Sequence, residues 1–194
     1  MPTRETTAAE SAPPATLAAL GRRIVVLGVT GSGKSTLAAE LARRLGAPHI
    51  ELDAIFWEPN WTPAANEAVR ARAAAAVAGD AWVVDGNYHQ TRDLTWPRAE
   101  TFVWLDYSMS VIFARLFRRT LWRGLFRVEL WNGNRERLWP QFFTRDSLFI
   151  WALTSQPKHR REYPLIPTDA ATAGATFIHL RSPRATARWL AALR

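Results

Sequence analysis

One eight-residue stretch, Gly28-Val29-Thr30-Gly31-Ser32-Gly33-Lys34-Ser35, constrains this chain more than any other part of it. It fits the pattern G-x-x-x-x-G-K-[ST], with Thr36 following. It stands after a short apolar run, Ile24-Val25-Val26-Leu27, and opens a segment of helical periodicity from about Lys34 to Leu45 that Gly46 and Pro48 close. The residue types follow from chemistry. Glycines let successive backbone N–H groups curl around a phosphate with no Cβ in the way, and a helix start adds unpaired donors and the positive end of its dipole. Lys34 is placed to reach the outer phosphates of a nucleotide, and the Ser35 hydroxyl to ligate Mg²⁺. Gly28, Thr30, Gly31, Ser32, Gly33, Lys34, Ser35 and Thr36 are therefore the nucleotide-binding candidates.

The rest of the chain keeps a strand–helix rhythm. Strands are expected at 49–52, 82–84, 102–105 and 176–180, with an Ala-rich helix opened by Thr62-Pro63, a long helix capped by Ser108, and a terminal helix started by Ser182-Pro183. Strands alternating with helices predict parallel βαβ units and an α/β fold whose sheet is covered by helices. At 194 residues this is one domain of ordinary size. Residues 1–21 read as a flexible tail, since they lack the charged start and apolar core of a signal peptide. The domain proper is expected over 22–194, with a helical insertion at about 111–163 that breaks the rhythm. Cysteine is absent, which removes disulfide scaffolds and thiolate metal sites and suits a cytoplasmic location. The apolar stretch 102–117 is interrupted by Asp106 and Arg115 and is too short to span a bilayer, so no membrane association is expected.

A phosphate loop gives nucleotide binding and leaves the reaction open. No N-K-x-D guanine signature and no L-S-G-G-Q stretch is present, which weighs against a GTPase switch and a transporter ATPase. Taken with Leu52-Asp53, Phe56-Trp57, Val83-Val84-Asp85-Gly86-Asn87-Tyr88, Trp104-Leu105-Asp106 and Phe117-Arg118-Arg119, the loop resembles the small-kinase branch of P-loop proteins, with adenylate, shikimate and gluconate kinases among them. The likeness is greatest to the adenylate-kinase-related topology modulation proteins and covers about residues 22–194. It implies a three-layer P-loop NTPase fold with a five-stranded parallel sheet and an arginine-bearing LID. It also implies a phosphotransferase that moves the γ-phosphoryl group of ATP, with Mg²⁺, to a nucleotide or other small-molecule acceptor.

The resemblance also distributes roles. Asp85-Gly86 matches the Asp-Gly that opens the acceptor loop of adenylate kinase, but continues Asn87-Tyr88-His89 where that family has Phe-Pro-Arg. The arginine that grips an acceptor phosphate is missing from its usual place, and Arg92 is its nearest replacement. Asp85, ending an apolar strand, is the metal-side carboxylate together with Ser35; Asp106 ends another strand and competes for that role. Asp53 follows the second strand, where related sugar and shikimate kinases bind the acceptor hydroxyl, and a carboxylate there aligns that hydroxyl and takes its proton. Phe56 and Trp57 are candidate pocket walls.

Charge is concentrated in the insertion. The chain carries +8, and residues 111–163 hold eleven Lys and Arg against four acidic residues. Arg115, Arg118 and Arg119 share one helical face, which Arg123 and Arg127 continue. Arg119 and Arg123 on the outgoing arm, and Arg160 on the return arm, are the LID-side candidates for meeting phosphates, and Arg184 after the last strand is a candidate base contact. The four histidines show no metal spacing. Two alternatives remain at this point: an ATP-binding, nucleic-acid-associated protein that uses the basic, tryptophan-rich insertion, and a kinase-like toxin acting on a nucleotide sugar. The sequence leaves the oligomeric state open.

Overall fold

The apolar run at 24–27 lies at the centre of a parallel sheet. In the computed structural model, which describes residues 16–126, 128–135 and 147–194, the strands are β1 (Arg23–Gly28), β2 (His49–Glu51), β3 (Trp57–Glu58), β4 (Thr62–Pro63), β5 (Trp82–Asp85), β6 (Thr101–Leu105) and β7 (Thr176–Leu180). β3 and β4 pair antiparallel as a hairpin of their own, and the other five form one sheet in the order β2-β5-β1-β6-β7. Every pairing in that sheet is parallel, with Val26 opposite Asp85 and Gly28 opposite Leu105. The chain thus enters the sheet in the middle and builds outward on both sides. That creates the switch point at the strands' carboxyl ends where α/β ligands sit.

The described helices are α1 (Leu17–Leu20), α2 (Lys34–Leu45), α3 (Leu52–Phe56), α4 (Asn66–Ala76), α5 (Arg92–Thr95), α6 (Met109–Leu125), α7 (Leu148–Glu162) and α8 (Pro183–Ala192). They cover both faces, which is why β1 reads apolar from Ile24 to Leu27. Side chains alternate across a strand, so Ile24 and Val26 join one cluster with Leu37 and Leu41 of α2, Leu116 of α6 and Trp189 of α8. Val25 and Leu27 join the other with Ala73 of α4, Val84, Trp104 and Tyr163. The expected three-layer α/β arrangement with five parallel strands is present.

Two local expectations change. Thr62-Pro63 does not open a helix. Asn60 and Trp61 adopt positive φ (61° and 57°), the chain turns back on itself, and residues 62–63 pair with 57–58, so that α4 begins only at Asn66. The ordered fold also begins before residue 22. Thr16 caps α1, Leu20 is fully buried with its carbonyl accepting from Thr101 Oγ1 at 2.6 Å, and Leu17 N donates to Arg194 O. Leu20 gains apolar partners there that solvent cannot supply. In the insertion, α6 runs through Arg119 and Arg123 to Leu125. Residues 1–15, 127 and 136–146, and with them most of the tail and Arg127, Arg137 and Arg145, lie outside the described residues.

Candidate active site

The phosphate loop is shaped by three glycines in the left-handed half of backbone space: Gly28 at φ 149°, Gly31 at 79° and Gly33 at 94°. Space is denied as well. A Cβ on Gly28 would stand 2.7 Å from Ser32 Oγ and 2.9 Å from Leu105 O, and one on Gly31 2.6 Å from Leu116 Cγ. Ser32 is fully buried and its Oγ has no hydrogen-bond partner among the described residues, an orphan polar group of the kind a bound phosphate satisfies. Lys34 spans the loop, donating from Nζ to Val29 O at 3.2 Å. Desolvation lowers its pKa, while Asp85 and Asp53 pull the other way. Thr36 sits exposed in the first turn of α2.

From α6, Arg115 Nη1 donates to Ser32 O at 2.7 Å with its guanidinium over the Tyr107 ring, and Arg119 Nη2 lies 3.4 Å from Thr30 Oγ1. The helical spacing of four residues brings both to the loop. Arg123 is half-buried one turn further on, and Arg184 is exposed in the first turn of α8.

The two strand-end aspartates part company. Asp85 is 1% exposed; its Oδ1 accepts from Ser35 Oγ at 3.2 Å and its Oδ2 lies 2.7 Å from His49 Nε2. This bond to Asp85 raises the pKa of His49. Asp106 belongs to a different neighbourhood. Its Oδ1 accepts from Arg160 Nε at 2.8 Å and from Gln156 Nε2 at 3.3 Å, and its Oδ2 faces His179 Nε2 at 3.2 Å. Arg160 therefore engages a carboxylate at the end of β6, where the helical register of α7 sets it one turn beyond Gln156. The Ser35 hydroxyl and Asp85 carboxylate are a pair of hard oxygen donors converging beside the loop. They fit Mg²⁺, which is held by one or two protein oxygens, substrate phosphates and water.

Asp53 lies in the first turn of α3, and the Tyr88 hydroxyl donates to its Oδ1 at 2.5 Å. Burial, and then the Asp53 charge, push the Tyr88 pKa up, so the phenol stays a donor. Asn87 Nδ2 donates to Gly28 O at 2.6 Å and ties this loop to the phosphate loop. Gly86 has φ 131°, and a Cβ there would stand 2.7 Å from Leu52 Cβ. Phe56 packs on Tyr88 at 4.6 Å between ring centres and edge-on to Trp57 at 4.9 Å. Arg92 gives both Nη groups to Glu162 and lies 4.4 Å over the Trp96 ring.

Two features were missed by the sequence reading. The turn at 131–134 docks on the acceptor-side loop: Trp131 Nε1 donates to Glu51 Oε2 at 3.0 Å, Asn132 Nδ2 to Trp57 O at 2.5 Å and Asn134 Nδ2 to Glu58 O at 2.9 Å. The Asn132-Gly133 pair signalled a turn but not its destination. Histidines also matter. His49 holds Asp85, and His159 stacks on Tyr163 at 4.6 Å and 14°, with its pKa lowered to about 4 by burial and by the Lys34 charge. His49 has no spacing signal because Asp85 is 36 residues away, and for His159 the distant partner is Lys34, while Tyr163 lies one helical turn on.

No protein-family model matches the chain, and no curated protein is a significant match. Solved structures do resemble it. A gluconokinase from Sinorhizobium meliloti 1021 superposes with a TM-score of 0.50 at 23% identity, over 89% of this chain and 93% of that one. A shikimate kinase from Bacteroides thetaiotaomicron gives 0.49 at 18% identity, over 88% and 94%. The first likeness is one of fold, and it agrees with the five-stranded parallel sheet and its phosphate loop.

Proposed function

We propose that the protein is a P-loop phosphotransferase that moves the γ-phosphoryl group of ATP, with Mg²⁺, to the hydroxyl of a small-molecule acceptor. The observation that carries this reading is the position of Lys34. Its ammonium feels the charge of Asp85, which contacts Ser35, and that of Asp53, which contacts Tyr88, so a phosphate-side and an acceptor-side carboxylate act on one cation. The fold shared with the Sinorhizobium gluconokinase supports it.

The roles follow from chemistry. The loop N–H groups and the Ser32 hydroxyl bind phosphate oxygens, and Lys34 stabilises charge on the moving group. Ser35 and Asp85 would hold Mg²⁺, which would supply charge neutralisation at the phosphate oxygens. Asp53 orients the acceptor hydroxyl through its free Oδ2. As the hydroxyl oxygen bonds to the γ-phosphorus, the bond to the β-phosphate oxygen breaks, ADP departs and the hydroxyl proton passes to Asp53. Arg119 adds positive charge beside the loop, with Arg123 behind it, while Arg184 serves the base. Gly86, Asn87, Tyr88, Phe56, Trp57 and Arg92 shape the acceptor side. Incubation of γ-labelled ATP with a panel of hydroxyl compounds and nucleotides tests the reading. Label should move to an acceptor in wild type and not in Asp53→Asn; acceptor-independent ATP hydrolysis with no labelled product would overturn it.

A further inference from the structure

We infer that His49 is a positioning residue for the metal side of the phosphate site: it fixes the Asp85 carboxylate so that one oxygen stays aimed at Ser35. The inference rests on the phosphotransferase reading and assigns a role to a residue outside the phosphate loop and the acceptor loop.

Asp85 is 1% exposed, and a carboxylate so enclosed needs partners on both oxygens. Its Oδ1 faces the Ser35 hydroxyl at 3.2 Å, and its Oδ2 faces His49 Nε2 at 2.7 Å. With Oδ2 engaged, the carboxylate cannot rotate without breaking its shorter bond, so Oδ1 keeps its heading. The imidazole is itself oriented. Nδ1 faces Glu51 Oε1 at 3.9 Å, and Glu51 Oε2 accepts from Trp131 Nε1 at 3.0 Å. The backbone fixes the geometry too, since His49 lies on β2 opposite Val83, and Glu51 lies opposite Asp85 itself. A chain of polar contacts thus runs from α2 through β5 and β2 to the 131–134 turn. Histidine–carboxylate pairs of this kind orient the groups that hold a metal, and losing them typically costs about 10–100-fold in metal affinity. A purely structural pair would add stability and leave metal binding untouched.

The test reads binding, not turnover. Mn²⁺ uptake by the full chain in the presence of ATP is followed by electron paramagnetic resonance for wild type, His49→Leu and His49→Gln. ATP affinity is measured in parallel in EDTA. The expected result is a Mn²⁺ affinity lower by about tenfold or more in His49→Leu, partial recovery in His49→Gln, which retains a donor, and unchanged ATP affinity in EDTA. If the leucine variant does not fold, the glutamine variant decides, with a weaker Mn²⁺ affinity expected. Variants that take up Mn²⁺ as wild type does, even with a lower Tm, overturn the role of His49 and leave the phosphotransferase reading standing. Wild type that takes up no Mn²⁺ with ATP removes the metal site itself, and with it the role of His49.

Discussion

The Tyr88 hydroxyl donates to Asp53 Oδ1 at 2.5 Å, joining residues 35 positions apart. One carboxylate oxygen is thereby clamped, and the proposed reading gives the other to a substrate hydroxyl. Asp53→Asn should lower kcat by about 10²–10⁴-fold, the usual contribution of a positioned general base. Tyr88→Phe should lower kcat less, with ATP affinity unchanged. Steady-state kinetics with ATP and the labelled acceptor, beside calorimetric ATP titration, separate the two effects; equal kcat in wild type and Asp53→Asn would remove Asp53 from the chemistry.

Gly31 combines φ 79° with a neighbour that has no room to retreat, since the virtual Cβ meets Leu116 Cγ at 2.6 Å and Ile112 O at 3.2 Å. Gly31→Ala should weaken ATP binding by about tenfold or more, consistent with a backbone strain of about 1–3 kcal/mol. Adding Leu116→Ala should relieve the clash but not the backbone strain, so recovery is partial. Full recovery in the double variant would show that contact alone set the effect.

Asn134 is 3% exposed, donates to Glu58 O at 2.9 Å and accepts from Trp61 N at 2.8 Å. Its replacement by Ala leaves part-buried backbone groups of Glu58 and Trp61 unmatched, at a cost of about 1 kcal/mol. The loop that it steadies carries Phe56 and Trp57, so the acceptor KM should rise while ATP affinity holds. A rise in both together would place the turn at the nucleotide instead.

His159 supplies a pH dependence. Burial and Lys34 hold its folded pKa at about 4, against an ordinary 6.5. Between these values the unfolded chain binds a proton that the folded chain does not, so stability is full above about 6.5 and falls as the pH drops toward 4. His49 runs the other way: its pKa is raised by Asp85, so its contribution is present below 6.5 and is lost as the pH rises through the raised value. In urea melts across pH 4–7, His159→Gln should therefore flatten the acid-side loss. An unchanged slope would show that another group titrates there.

The parts legible in the sequence were those governed by local rules. The phosphate loop, the limits of α2 with Gly46 in the left-handed conformation at its end, and the Ser182 cap, whose Oγ accepts from Ala185 N at 3.1 Å, all announce themselves within a few residues. What escaped depends on contacts made across the fold. Arg160 looked like a phosphate ligand on charge alone, but Asp106, 54 residues away, holds it. Thr62-Pro63 matched a helix start until the positive φ of Asn60 and Trp61 folded it back on Trp57. Leu20 looked like part of a tail, because only the assembled sheet and its helices offer it a core.

The bond from Asn87 Nδ2 to Gly28 O gives a single backbone oxygen membership of both loops. Under the proposed reading these two loops carry nucleotide and acceptor, so this bond couples their binding free energies. Thermodynamic reciprocity then fixes the form of that coupling. Whatever factor ATP applies to acceptor affinity, the acceptor applies to ATP affinity, and the part of that factor lost in Asn87→Ala measures how far this one amide links the two substrates.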